Sequence, residues 1–198
     1  MGREFELKYR ADGAKIAAIR AKFGEFTAIT METAYYDTPA GALSRLRWTL
    51  RQRYENGKSV CTVKTPAAGG GRGEWETECR DILDAVPKLC KLGAPEELPA
   101  LTKTGLIESC AARFTRLAAL VKAEGCTVEL ALDDGVLLGG GKELPFAEVE
   151  VELKSGSEAA AVAFAESLAK EFGLTSESRS KVQRAMELIK PSPCVTDN

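Results

Sequence analysis

The chain has 198 residues, 44% hydrophobic and 28% charged, a composition suited to one globular domain with a substantial buried core. Its formal charge of only −2 argues against a general nucleic-acid or anionic-membrane binder, so any anion site must come from local arrangement. There is no histidine, which excludes Ser-His-Asp and Cys-His catalysis, imidazole zinc sites and imidazole proton relays.

Residues 3–10 alternate in character and are expected to form a strand, with Glu4, Glu6 and Lys8 on one face and Phe5, Leu7 and Tyr9 on the other. Asp12 is placed to cap a helix that runs to Phe23 and stops at Gly24. Thr27 to Tyr36 reads as extended, and Asp37-Thr38-Pro39 with Gly41 as a turn. Trp48 to Tyr54 and Ser59 to Thr65 are predicted strands joined across Asn56-Gly57, a strong hairpin signal. Gly69-Gly70-Gly71 reads as a loop before a strand from Gly73 to Arg80. The middle, from Ile82 to Leu120, reads as mostly helical and broken at Pro95 and Pro99.

Strands are expected near Leu117 to Ala123 and Cys126 to Leu132, with Asp133-Asp134-Gly135 turning the chain into Val136 to Leu138. Phe146 to Lys154 reads as a further strand. Ser157 is placed to cap a helix to Phe172, and Ser180 to Ile189 is a final helix. Residues 1–190 are expected to form a single catalytic domain and residues 191–198 a disordered tail. The six cysteines have no zinc spacing and the first residues lack an apolar signal core. A reducing cytoplasm is the expected compartment, with most cysteines serving as small core residues.

The alternation carries the chemistry. Glu148, Glu150 and Glu152 with Lys154 repeat the opening charge pattern near the other end. Between these acidic ladders lie Arg51, Arg53 and Lys64, then Arg72, Glu74 and Glu76 sharing one parity, and Glu129 sharing a face with Asp133. Acidic ladders separated by basic strands are what a chain needs to hold a divalent metal beside a polyanion. An antiparallel sheet with its polar face in water would show the same alternation. Carboxylates two apart on a strand have Cα atoms about 6.8 Å apart. Each such pair repels by roughly 2 kcal/mol at an effective dielectric near 20, so an enclosed ladder demands cations while a solvated one does not.

Several ordered segments resemble the CYTH proteins of the triphosphate tunnel metalloenzyme superfamily, closest to the bacterial inorganic triphosphatases. They are E-x-E-x-K (Glu4 to Lys8), Y-Y-D-T-P (Tyr35 to Pro39), L-R-x-R (Leu50 to Arg53), T-V-K-T-P (Thr62 to Pro66) and R-x-E-x-E (Arg72 to Glu76). E-L-A-L-D-D-G (Glu129 to Gly135), E-V-E-V-E-L-K-S-G (Glu148 to Gly156) and Ser180-Lys181 follow in family order.

The resemblance implies an α+β fold: a closed eight-stranded antiparallel β-barrel, or tunnel, with helices packed outside. It implies Mg²⁺ or Mn²⁺ held by Glu4, Glu6, Glu148, Glu150, Glu152 and Asp133, and phosphates gripped by Lys8, Arg51, Arg53, Lys64, Arg72, Arg116 and Lys181. Glu4, Glu6, Lys8 and Glu150 would carry catalysis, with Glu74, Glu76 and Glu129 assisting the metal or pairing with the bases. The expected activity is metal-dependent hydrolysis of inorganic triphosphate, a small-molecule substrate, with no nucleic-acid or membrane partner and the oligomeric state left open. Thiamine triphosphatase, class IV adenylate cyclase and a non-catalytic polyphosphate- or nucleotide-binding module are the alternatives. For a cyclase, no aromatic or amide pocket for adenine is evident in the sequence. Many relatives carry a second, histidine-rich domain, so a stand-alone module is expected here.

Overall fold

The computed structural model describes residues 5–66 and 72–189. Strand β1 (Glu6–Arg10) leads into helix α1 (Gly13–Phe23), and Asp12 caps α1 by accepting from the Lys15 amide at 2.9 Å. Strand β2 (Thr27–Asp37) ends at a tight corner around helix α2 (Ala42–Arg45). Asp37 organises that corner by accepting from the amides of Thr38, Leu43 and Ser44, so the Asp37-Thr38 pair is a turn element. Strands β3 (Thr49–Glu55) and β4 (Lys58–Pro66) form the predicted hairpin, in which Asn56 and Gly57 both have positive φ as its tight turn requires.

Strand β5 (Arg72–Glu78) precedes helices α3 (Ile82–Lys91) and α4 (Leu98–Thr102). Pro99 sits in the first turn of α4, so it starts that helix instead of breaking one. Three long strands follow: β6 (Ile107–Ala123), β7 (Cys126–Gly139) and β8 (Lys142–Gly156). The predicted helical character thus fails from Ile107 to Arg116, while the strand expected near Leu117 to Ala123 is the later part of β6. Cys110, Ala112 and Phe114 are buried at alternate positions, a period that a helix would scatter around its surface.

The predicted turn at Asp133-Asp134-Gly135 is also absent, and β7 runs straight through it. A Cβ on Gly135 would lie 2.1 Å from the Arg113 carbonyl oxygen, so this glycine permits close strand approach and does not turn the chain. Helix α5 (Glu158–Phe172) starts at Ser157 and stops at Gly173 as expected. A short strand β9 (Thr175–Ser176) leads to helix α6 (Lys181–Glu187), capped by a Ser180/Gln183 capping box.

The nine strands of the described residues make one antiparallel sheet in the order β5-β4-β3-β2-β6-β7-β8-β1-β9. This corrects the closed eight-stranded barrel: the sheet is open, with β5 and β9 as its two edges. β9 offers only Thr175 and Ser176 for pairing, both spent on β1, while β5 is a short edge with alternating charges. The β9 edge is too short to close the ring, and the charged β5 edge discourages further pairing. The sheet curls instead, so that Glu6 and Lys8 of β1 and Arg72 of β5 line one trough.

Apolar residues cover the convex face in two clusters. One packs α1 and α5 on β1, β7 and β8 around Ile19, Leu130, Val149 and Ala165. The other packs α3 and α4 on β3 and β4 around Leu50, Val63 and Leu89, with Trp48 and Trp75 at its margin. Cys61, Cys79, Cys110 and Cys126 are buried, and burial pushes the Cys61 thiol up to about 12 and Cys110 up to about 11, as inert core residues require. Cys194, the tail from 191 and the 69–71 loop lie outside the described residues. Among the described residues no helix is long and apolar enough to cross a membrane.

Candidate active site

The concave trough encloses about 400 Å³ and is lined by the charged parity of almost every strand. Glu6 and Lys8 come from β1, Arg51 and Arg53 from β3, Lys64 from β4, Arg72 from β5, Arg116 from β6, and Glu150 and Glu152 from β8. Antiparallel register brings them together: Glu6 lies opposite Glu152, Lys8 opposite Glu150, and Arg116 opposite Asp133. The N-terminal face of α6 covers one side through Ser180, Lys181 and Gln183.

Asp133 and Glu148 sit beneath this surface, both with zero exposure. The Arg116 guanidinium donates to both Asp133 oxygens, at 2.8 and 2.7 Å, and also to Glu150. Lys181 reaches Asp133 and Glu150 at 2.8 Å each and also Glu148, while Arg184 holds the other Glu148 oxygen. Phe114 and Phe146 roof the cations, with Lys181 at 5.1 and 5.5 Å from their ring centres. Three carboxylates thus face three cations, with Asp133 and Glu148 fully buried.

The titration directions follow. Burial works against the charged forms of Lys181 and Arg116, yet Glu150 and its neighbouring carboxylates outweigh it and raise both. Burial also opposes ionisation of Glu150, but Lys181 and Arg116 carry it well below the usual carboxylate range. At Glu148 burial prevails and the carboxyl is raised.

The opposite wall is less well matched. Arg51 meets Glu74 only at 3.7 Å, Arg53 meets Glu76 at 3.8 Å and touches Glu55, and Lys64 pairs with Glu74 at 2.9 Å. Burial, then repulsion from Arg51, pushes the Arg53 guanidinium below its ordinary value. The buried Nε atoms of Arg51 and Arg53 here, and of Arg184 in the opposite network, have no hydrogen-bond partner among the described residues. Such an orphan donor beside crowded cations suits an anionic ligand.

A metal has two places to be tested against. Asp133, Glu148 and Glu150 each offer one carboxylate oxygen within 4.8 Å of the others, a hard-oxygen set that suits Mg²⁺ or Mn²⁺. Their charge is already matched by Lys181, Arg116 and Arg184, so a cation there would have to displace Lys181. Glu6, Glu150 and Glu152 instead open onto the trough, where Glu6 is 3.5 Å from Lys8 and Glu152 is 2.8 Å from Lys154. The donor chemistry therefore fits a divalent cation.

Glu74 and Glu76 stand behind the basic wall, and Glu129 lies 3.7 Å from Lys154. Glu4 lies outside the described residues. Arg184, Phe114, Phe146 and Ser178 escaped the sequence reading. Arg184 follows Lys181 by three residues on one helix, and that shared face was the available signal.

An open antiparallel sheet curled around a mixed basic and acidic trough, with a short capped helix over it, defines an α+β protein with one charged cleft. The CYTH domain family model matches residues 2–186, and the chain belongs to that family. It is 29% identical over 194 residues to the inorganic triphosphatase of Haemophilus influenzae, covering 93% of this chain and 54% of that protein. The chain therefore spans about half the length of that curated relative. Among solved structures, a protein of Pyrococcus horikoshii is similar at TM-score 0.61 and 25% identity, covering 93% of this chain and 99% of that one. A candidate adenylyl cyclase of Hippeastrum, described as having a dominant triphosphatase activity, is similar at TM-score 0.64 and 18% identity, over 97% and 98% of the two chains. A candidate adenylate cyclase of Bacillus halodurans also scores 0.64, at 21% identity over 93% and 98%.

Proposed function

We propose that the chain hydrolyses inorganic triphosphate to pyrophosphate and phosphate, with Mg²⁺ or Mn²⁺ in the trough. The observation that carries this reading is the under-matched basic wall, where Arg51 and Arg53 face Glu6, Glu150 and Glu152 across one small cavity. Arg51, Arg53 and Arg72 would fork onto phosphate oxygens, and Lys64 would add point charge along the chain. Lys8 and Lys181 would hold the anion from the β1 and α6 sides. Glu6, Glu150 and Glu152 would hold the cation, while Asp133 and Glu148 keep Arg116, Lys181 and Arg184 in place. A bound divalent cation supplies charge neutralisation at the reacting phosphoryl group and lowers the pKa of a coordinated water. Water ends on the released phosphate, the bridging oxygen stays with pyrophosphate, and no covalent enzyme intermediate is needed. The activity named for the Haemophilus influenzae relative supports this substrate.

The test is product analysis with tripolyphosphate in Mg²⁺, in Mn²⁺ and in chelator. One phosphate and one pyrophosphate per substrate, only with metal, is the expected result. Tight tripolyphosphate binding by calorimetry without phosphate release under either metal would instead make the chain a polyphosphate-binding module.

A second reading has its own observation. A side cavity of about 510 Å³ opens beside the trough, sharing Thr49 and Arg72 with it and walled by Trp48, Val182 and Met186. An indole and a thioether suit a ring system better than a bare phosphate. They favour an organic triphosphate, so thiamine triphosphate and ATP belong in the same assay, with cyclic AMP and thiamine diphosphate as the diagnostic products.

A further inference from the structure

Lys8 and Lys181 reach the trough from different elements, and within it they are joined through Glu150, which contacts Lys181 at 2.8 Å and lies opposite Lys8 in the sheet. A second link lies outside it. β9 pairs with β1, and the Glu177 amide donates to the Lys8 carbonyl at 2.9 Å. Glu177 itself is 4% exposed and accepts from Arg10 Nε at 2.7 Å, from the Arg179 amide at 2.9 Å, and from Arg179 Nε and Nη2 at 3.1 and 3.0 Å. Arg179 also donates to Glu187 at 2.7 Å. One buried carboxylate therefore ties the strand carrying Lys8 to both ends of α6.

α6 has reason to need such a tie. It has seven residues, and isolated helices under about 12–15 residues are marginal in water. Its remaining anchors are a small apolar face around Ala185 and the ion pairs of Lys181 and Arg184 with Glu148, Glu150 and Asp133. Any phosphate that draws Lys181 away from those carboxylates weakens one of the anchors. The Glu177 contacts do not compete with phosphate, because Glu177 does not line the trough.

We propose that Glu177 is a positioning residue, which holds α6 so that Lys181 stays over the trough while it exchanges carboxylate for phosphate oxygens. This rests on the phosphate-gripping role of Lys181 given above.

The experiment compares wild type with Glu177→Gln, Glu177→Asp, Lys181→Ala and the double variant Glu177→Gln/Lys181→Ala. Tripolyphosphate kinetics are measured alongside amide hydrogen exchange of residues 181–187 without substrate. Glu177→Gln is expected to raise KM about tenfold with kcat within about twofold, because Lys181 grips ground and transition states alike. It should also speed exchange in 181–187, and Glu177→Asp should recover part of both effects. In the double variant KM should be no higher than in Lys181→Ala, because the clamp acts only through that lysine. If Glu177→Gln fails to fold, Arg179→Met, which cuts the same link from the other side, takes its place with the same expectations. Unchanged exchange, or KM losses that multiply in the double variant, would overturn the proposal. A wild type that turns over no triphosphate removes the triphosphatase reading, and the exchange rates then decide the clamp by themselves.

Discussion

On the β6–β8 wing, Asp133, Glu148 and Glu150 are met one for one by Arg116, Lys181 and Arg184, with direct contacts and aromatic rings overhead. On the β3–β5 wing, Arg51 and Arg53 face Glu74 and Glu76 only at 3.7 and 3.8 Å, Arg53 touches Glu55, and the Glu76 side chain is 47% exposed. The same residue types thus occupy opposite electrostatic states on one sheet. A matched buried network holds architecture, because removing one member strands a charge. An under-matched cluster carries unspent favourable energy, which a polyanion can collect on binding. The contrast assigns Asp133, Glu148, Arg116 and Arg184 to holding the trough and the β3–β5 wing to receiving the anion.

The largest expected effect breaks the matched wing. Arg116→Met leaves Asp133 and Glu150 with only Lys181 between them, and should lower stability by about 3–5 kcal/mol. Urea denaturation checks this, and a loss below about 1 kcal/mol would mean that the network is not holding the sheet. The next effect falls on binding. Arg53→Ala should weaken tripolyphosphate binding by about 10–100-fold, the worth of a charge-assisted hydrogen bond, while leaving the denaturation midpoint nearly unchanged. Calorimetry in low and high salt sharpens the comparison, since binding of a polyanion to a basic wall should weaken as salt rises.

A third effect depends on pH. Arg179 foremost, helped by Arg10 and despite the cost of burial, holds the Glu177 carboxyl at about 2, below its ordinary value near 4.3. A depressed carboxylate stabilises the fold fully above its unfolded value and loses that contribution as pH falls through the folded one. Wild type should therefore exceed Glu177→Gln in stability by about 1.5 kcal/mol at pH 6, a figure discounted because Arg10 and Arg179 are partly exposed, and the gap should close between pH 4 and 2. A gap that persists at pH 2 would place the stabilisation somewhere other than the ionised carboxylate.

Much of this was readable because strand alternation is a local rule. Arg51 and Arg53 flank the buried Gln52, and Glu148 and Glu150 flank the buried Val149, so one parity marks the trough without knowledge of the fold. What depends on distant neighbours was hidden. Gly135 looks like a turn residue until the close passage of Arg113 on β6 is known. Ala111 and Ala112 suit a helix by propensity, and only pairing with β2 and β7 makes them strand. Arg184 and Glu177 find their partners 36 and 167 positions away, and no spacing rule reaches that far. The openness of the sheet is a property of its edges, so motif order alone suggested closure where β9 supplies too little strand.

The smallest effect tests the contrast through its sign. Arg51→Met removes a buried guanidinium whose Nε is unsatisfied and which pushes on Arg53, keeping the unbranched apolar stem while discarding the charge. An unsatisfied buried donor costs about 1–3 kcal/mol, and the lost 3.7 Å contact with Glu74 offsets part of that relief. Without phosphate the variant should therefore be more stable than wild type, by about 0.5–1 kcal/mol, while its tripolyphosphate binding falls. Adding tripolyphosphate should reverse the order, because linkage stabilises only the protein that binds it. The same chemical change thus destabilises at position 116 and stabilises at position 51. A loss of stability at both would mean that the two wings are electrostatically alike and that the trough is not waiting for an anion.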